Sequence, residues 1–124
     1  MKLREVKQMI LELINKHSEK FPTSNWSIRY SNRQSRALAT TRQWVNRYIF
    51  GDKPYRIEFV FNNKYINANL DNIEAIKKTV LHEIAHAIVG YSHGHDKVWV
   101  SCCKSIGGNG KRLATPNVDF IKWK

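Results

Sequence analysis

The five residues 82–86 read H-E-I-A-H and lie in a stretch with a helical pattern of apolar side chains. On a helix, side chains four residues apart lie one turn above each other, with Cβ atoms about 5–6 Å apart. His82 and His86 can therefore direct two imidazole nitrogens at one zinc ion, at about 2.0–2.1 Å each. Glu83 lies beside the first of them, where a carboxylate can accept a proton from water on the open side of the metal. The pattern predicts a metal-dependent hydrolase, most commonly a protease.

The residues around this motif support a helix over 71–89. Asp71 followed by Glu74 resembles a capping box, and Gly90 is a suitable stop. The histidines fall beside the apolar stripe, on a face that can line a cleft. The alternative is a pair of solvated histidines on an amphipathic helix, and the coincidence of motif, helix and downstream ligands favours the metal. The stripe recurs at helical spacing and consists of Ile73, Ile76, Val80, Ile84 and Ile88.

A catalytic zinc usually takes three protein ligands and keeps a fourth position for water or substrate. The segment after the helix offers His93 and His95, and its glycines allow the chain to turn back toward the helix. A second helix is predicted from residue 95, with Asp96 near its N-cap. His95 would lie in the first turn of that helix, a fixed position that suits a ligand, whereas His93 would lie in the solvated turn. The predicted apolar face of this helix consists of Val98, Trp99, Cys102 and Ile106.

These two elements together resemble the SprT-like zinc metallopeptidases, closest to the short bacterial and phage-borne members. That family pairs H-E-x-x-H with a later G-H-x-x-x-[aromatic] element, whose histidine is the third zinc ligand. Here residues 79–87 read TVLHEIAHA and residues 94–99 read GHDKVW, so the role passes to His95, and Trp99 matches the aromatic position. The resemblance implies one Zn²⁺ and peptide hydrolysis with Glu83 as general base. Tyr91 and His93 are the nearest candidates for a further stabilising group.

Many members of that family continue into a C-terminal zinc ribbon with paired C-x-x-C motifs. This chain has only Cys102 and Cys103, which would point to different sides of a helix and cannot form a ribbon. We expect both to pack as small apolar residues, and residues 1–124 to form a single peptidase domain. The sequence shows no membrane-spanning stretch, no export signal and only two cysteines, which predicts a cytoplasmic protein, in the host cytoplasm if a phage encodes it. The oligomeric state is left open, with a monomer as the expectation.

The rest of the chain predicts an α+β, zincin-like fold. Helical spacing of apolar residues indicates an amphipathic N-terminal helix that ends before Phe21. His17, near its end, is expected to be solvated or to act as a helix-end cation rather than as a ligand. Segments rich in aromatic and branched residues at 26–30, 42–50 and 55–61 predict strands, with a turn at 51–54. We expect a small, mainly antiparallel sheet packed against three helices. By analogy with zincins, residues 55–61 are the candidate edge strand for extended substrate.

Positive charge is the second strong feature of the sequence. The chain has 21 Lys and Arg against 10 Asp and Glu, a net charge of +11, and residues 20–51 contain no acidic residue. Arginines that contact phosphates, beside aromatics that stack on bases, are typical of surfaces for single-stranded nucleic acid. The alternative is that the aromatics are core and the arginines a solvated face. The predicted nucleic-acid residues are Arg29, Arg33, Arg36, Arg42, Arg47 and Trp44.

Three functions therefore remain open. The resemblance favours a protease acting on DNA-associated proteins, since eukaryotic relatives degrade proteins crosslinked to DNA. A second possibility is a zinc-containing nucleic-acid-binding module with little or no proteolysis, which would bind DNA and cleave nothing. A third is a protease for one specific regulator, whose cleavage would be insensitive to DNA and salt, because phosphate contacts weaken as salt rises.

Overall fold

A computed structural model describes residues 2–33, 37–45, 54–90 and 92–111. The predicted α+β class is confirmed. In chain order the elements are helix α1 (Leu3–His17), a 3₁₀ turn (Ser18–Lys20), strands β1 (Trp26–Ser31), β2 (Ala39–Val45) and β3 (Pro54–Asn62), and helices α2 (Asn63–Ala68), α3 (Ile73–Val89) and α4 (Lys97–Ser105). The predicted continuation of the second strand to residue 50 and most of the predicted turn at 51–54 lie outside the described residues.

The three strands form one mixed sheet in the order β1-β3-β2. β1 pairs with β3 in parallel and β2 pairs with β3 antiparallel, so the sheet is not mainly antiparallel. The chain crosses from one edge to the other after β1 and then returns through the middle. β3 is therefore the central strand, with a partner on each side, and the prediction that residues 55–61 form an edge strand was wrong. Within the described residues, the strand at the edge nearest the site is β2.

The sheet buries one face against the helices. Along β3, Ile57, Phe59 and Phe61 alternate with outward side chains and are almost completely buried, as the two-residue period of a strand requires. α1 and α3 cover this face, and each large aliphatic side chain buried there contributes about 1.5–3 kcal/mol. The helix residues in this core include Val6, Ile10, Ile14, Ile76, Val80 and Ile84. The core fixes α3 against the sheet and so fixes the position of the motif.

The helix ends follow the capping rules, with one shift from the prediction. α3 begins after Asn72, whose side chain accepts a hydrogen bond from the Ala75 amide, rather than after Asp71. Both residue types are good N-caps, so the sequence alone could not separate the two neighbours. Gly90 ends α3 with a φ of 93°, as predicted. That left-handed region favours glycine.

Two residues are placed differently from the prediction. His17 is buried rather than solvated, and burial together with Lys20 and Lys16 lowers its pKa, which disfavours the cation. On α4, Val98 is 49% exposed, while Trp99 and Cys103 face inward. Cys102 is half-buried, and the thiols of both cysteines are free. None of the helices in the described part of the chain is long and apolar enough to cross a bilayer.

Candidate metal centre

Three histidines converge at one point between α3 and α4. The Nε2 atoms of His86 and His95 are 3.1 Å apart, and those of His95 and His82 are also 3.1 Å apart. Four ligands at the bond lengths of tetrahedral zinc lie about 3.3 Å from one another. The spacing of the three nitrogens therefore fits a single ion.

Local structure explains how each ligand reaches this point. The helical period of α3 places His82 and His86 one turn apart on the same face. His95 precedes the Asp96 N-cap of α4 rather than lying in its first turn. The Asp96 side chain accepts a hydrogen bond from the Trp99 amide at 3.0 Å, which fixes the start of α4 and the turn before it.

The Trp99 ring packs against all three imidazoles. Its ring centroid lies 4.7 Å from that of His82, 5.2 Å from that of His86 and 4.6 Å from that of His95. The indole N–H donates to the His82 carbonyl oxygen at 3.4 Å, and the side chain is completely buried. The sequence matched Trp99 to a family position but could not show that one ring contacts all three histidines.

The surroundings of the histidines favour their neutral form. Burial lowers the pKa of His82 to about 3, with smaller contributions from His86 and His95, and the backbone of Lys111 opposes the shift. Burial, with His95, likewise lowers the pKa of His86 to about 4. At neutral pH both imidazoles can therefore offer a lone pair without first losing a proton, which is the state that binds a metal. Together with His95, these imidazoles form a donor set that suits zinc.

Glu83 lies beside the histidines, and its two carboxyl oxygens have different neighbours. Its Oε1 accepts a hydrogen bond from the Thr41 hydroxyl of β2 at 2.8 Å, and its Oε2 lies 3.9 Å from His82 Nε2. The side chain is almost fully buried, and burial raises its pKa to about 7, although the hydrogen bonds from Thr41 lower it in part. A carboxyl group with a pKa near neutrality can both accept and return a proton. Thr41 was not predicted, since it lies 42 positions away in the sequence.

The site opens into a cleft of about 570 Å³ between β2 and the α3–α4 turn. One wall consists of β2 residues, including Gln43, whose side-chain amide donates to the His86 carbonyl oxygen at 3.3 Å. The opposite wall contains the three histidines, Glu83 and the turn. His93 lines this wall, and its Nδ1 lies 2.8 Å from Asp96 Oδ2. Tyr91 lies outside the described residues.

Three of the six predicted nucleic-acid residues, Arg29, Arg42 and Trp44, lie on the outer face of the sheet. Arg29, Arg42 and Arg56 surround the Glu58 carboxylate at 3.4, 3.4 and 3.7 Å. The guanidinium carbons of Arg42 and Arg56 lie 5.0 and 4.2 Å from the ring centroid of Trp44, which is half-buried on this face. The sequence analysis missed Arg56 and Glu58, since their pairing depends on strand register.

The other aromatic and arginine residues between residues 20 and 51 lie in different environments. Trp26 and Tyr30 pack against the core, as the alternative interpretation expected for the aromatics. Arg33 is exposed just after β1. Arg36 and Arg47 lie outside the described residues.

The comparisons with known proteins agree with the geometry of the site. The model of the SprT-like family matches residues 6–118, which include α3, the following turn and α4. No curated protein and no solved structure matches the chain. Because the family match covers almost the whole sequence, the chain belongs to the SprT-like family.

Proposed function

We propose that this protein is a zinc-dependent peptidase. The observation that carries the proposal is the convergence of three histidine nitrogens next to the buried carboxyl group of Glu83. Membership of the SprT-like family supports the same reaction class. His82, His86 and His95 would hold the metal, which supplies a Lewis acid and lowers the pKa of water at that position.

The residues of the chain then move the proton and hold the substrate. Glu83 accepts a proton at Oε2, the oxygen on the histidine side, as water attacks the scissile carbonyl. It then returns that proton to the leaving amine, so one carboxyl group serves first as base and then as acid. Trp99 keeps the imidazoles in place, since its buried ring contacts all three.

β2 is the strand best placed to bind an extended peptide. It pairs with β3 on one side, and its side chains line the cleft beside the histidines. A peptide added along the strand would gain main-chain hydrogen bonds with little dependence on its sequence. This role replaces the one expected for residues 55–61, whose strand is paired on both sides.

The test is cleavage of an unfolded protein substrate, such as reduced casein, by purified protein of measured zinc content. We expect cleavage to stop after chelation and to return with added Zn²⁺. His86→Ala should bind less zinc and lose activity. His93→Ala is the matched control for zinc content, because His93 lines the same cleft but pairs with Asp96 instead of joining the three histidines. Cleavage that persists in metal-free protein would overturn the proposal.

We also propose that the outer face of the sheet binds single-stranded nucleic acid, so that the protein substrates would be DNA-associated. Support comes from the three half-exposed arginines and Trp44, which lie together there around a single glutamate. Guanidinium groups contact phosphates, and aromatic rings stack on bases. The net charge of +11 favours the same class of partner.

Fluorescence anisotropy with a labelled single-stranded oligonucleotide tests this surface. Arg42→Gln removes a charge next to Trp44, and Arg4→Gln removes the same charge from an exposed position on α1. We expect the first change to weaken binding several-fold and to reduce the salt dependence, and the second to have little effect. Equal effects would mean that total charge, not this face, attracts the nucleic acid. Firm binding by a protein that cleaves nothing would favour the binding-module alternative.

A further inference from the structure

Thr41 joins the strand that edges the cleft to the side chain of Glu83. Its hydroxyl lies 2.8 Å from Glu83 Oε1 and 3.1 Å from the Glu83 carbonyl oxygen. A hydroxyl has one proton to donate, and here both acceptors within reach belong to the same residue. Whichever one it bonds, Thr41 connects β2 to this single position on α3.

This hydrogen bond gives the two carboxyl oxygens of Glu83 different surroundings. Oε1 faces β2 and Thr41, while Oε2 lies on the side of the histidines, 3.9 Å from His82 Nε2. A glutamate side chain has three rotatable bonds, and fixing a long side chain of this kind costs conformational entropy. Threonine, by contrast, is stiff at χ1, which makes it a good fixed point for a more mobile partner.

A second contact holds the same strand to the same helix. Gln43, two residues after Thr41 and therefore on the same face of β2, donates to the His86 carbonyl oxygen at 3.3 Å. Thr41 and Gln43 thus reach the helix at Glu83 and His86, one turn apart. The distance between the strand and the motif is set by side chains that lie inside the cleft.

We propose that Thr41 is a positioning residue for catalysis: its hydroxyl anchors Glu83 Oε1 and thereby aims Oε2 at the reacting centre. This inference rests on the proposed peptidase function and deepens it. A misplacement of about 1 Å can cost about 100-fold in rate, so losing the hydrogen bond that holds Glu83 can lower the rate substantially. Thr41 would act through Glu83 and need not touch the substrate.

The test compares kcat and KM for three variants. Thr41→Val replaces the hydroxyl with a methyl group of similar size, and Thr41→Ser keeps the hydroxyl. Thr79→Val is the control, because the Thr79 hydroxyl bonds the Tyr65 hydroxyl and the Ala75 carbonyl oxygen, outside the cleft. Thr79 is buried, whereas Thr41 is half-buried. Zinc content and thermal unfolding are measured for each protein.

We expect Thr41→Val to lower kcat by about 10- to 100-fold, with KM changed by less than about twofold and a full equivalent of zinc. Thr41→Ser should restore kcat to within about fivefold of wild type, since a hydroxyl donor is again present. Thr79→Val should lower the melting temperature and leave kcat unchanged.

The opposite results separate the two proposals. If the wild-type protein shows zinc-dependent cleavage and Thr41→Val retains its kcat, the positioning role is wrong and the peptidase proposal stands. The same holds if Thr41→Ser loses as much activity as Thr41→Val, because the hydroxyl would then not be the cause. If the wild-type protein cleaves nothing, both proposals are overturned.

Discussion

Two glutamates on opposite sides of β2 and β3 are buried to almost the same extent and have opposite surroundings. Glu58 is 7% exposed and Glu83 is 6% exposed. Glu58 lies on the outer face of the sheet, within 3.7 Å of three guanidinium groups. Glu83 lies behind the inner face, next to the Thr41 hydroxyl and the His82 imidazole. Equal burial therefore does not mean equal chemistry, since the neighbouring charges differ.

These different surroundings give the Glu58 and Glu83 carboxyl groups different roles. A buried carboxylate is unfavourable unless cations or donors compensate for the lost water, and the arginines provide that compensation for Glu58. At Glu83, burial outweighs the hydrogen bonds from Thr41 and raises the pKa to about 7. Such an uncompensated acid destabilises the fold when it is ionised, and sites of this kind are typical of functional centres.

The largest effect should come from making the same change at both positions. We expect Glu83→Gln to lower kcat by about 10²- to 10⁴-fold, the range of general acid–base catalysis, because the amide cannot accept the proton. Zinc content should not change, since the proposed ligands are the three histidines. Glu58→Gln should keep kcat within about twofold of wild type. Activity assays on the two variants, at matched zinc content, measure the contrast, and similar losses in both would refute the distinction.

A smaller effect should appear in the stability of metal-free protein as a function of pH. The pKa of Glu83 rises from 4.5 to about 7 on folding, so the folded state binds more protons than the unfolded state between these values. The contribution of Glu83 to stability is therefore greatest below pH 4.5 and is lost as pH rises through 7. At about 1.4 kcal/mol for each pKa unit, the loss is roughly 3–4 kcal/mol.

Urea unfolding of the wild-type protein and of Glu83→Gln measures this contribution of Glu83 to stability. Both proteins are freed of metal with a chelator and compared at pH values from 4.5 to 8. The difference in unfolding free energy between the two proteins should shift in favour of the variant as pH rises. The variant cancels the contributions of other titrating groups, such as His17, because both proteins contain them. A difference that stays constant across this range would show that Glu83 titrates as an ordinary carboxyl group.

The sequence predicts best what depends on spacing within one element. His82, Glu83 and His86 share a helix, so their arrangement follows from the helical period alone. His95 is close in sequence, and the number of ligands that a catalytic zinc needs points to it. The Asp96 cap and the Gly90 stop are equally local signals, and both are observed.

Contacts between strands and helices were beyond such reasoning. Thr41 reaches Glu83 only because β2 occupies the edge of the sheet next to α3, and strand order cannot be determined from one sequence. The cluster of Arg29, Arg42 and Arg56 around Glu58 similarly depends on register, which places Arg42 directly opposite Glu58. The wrong assignment of residues 55–61 to an edge has the same origin, since central and edge strands share the same pattern of apolar residues.

The smallest expected effect concerns the outer face. Glu58→Gln removes the charge shared by three arginines whose side chains are 44–52% exposed. Exposed ion pairs contribute about 0.2–1 kcal/mol each, and the guanidinium groups left behind repel one another. We therefore expect the variant to lose about 1–2 kcal/mol of unfolding free energy at low salt.

Salt distinguishes this contribution from a packing defect. At about 1 M NaCl the Debye length falls to about 3 Å, so wild type should lose much of the advantage that its ion pairs provide, and the gap to Glu58→Gln should narrow. A gap that is unchanged by salt would assign the loss to packing of the side chain. If the two proteins are equally stable at low salt, the arginines do not compensate for burial of Glu58, and the contrast with Glu83 would rest on Thr41 and the histidines alone.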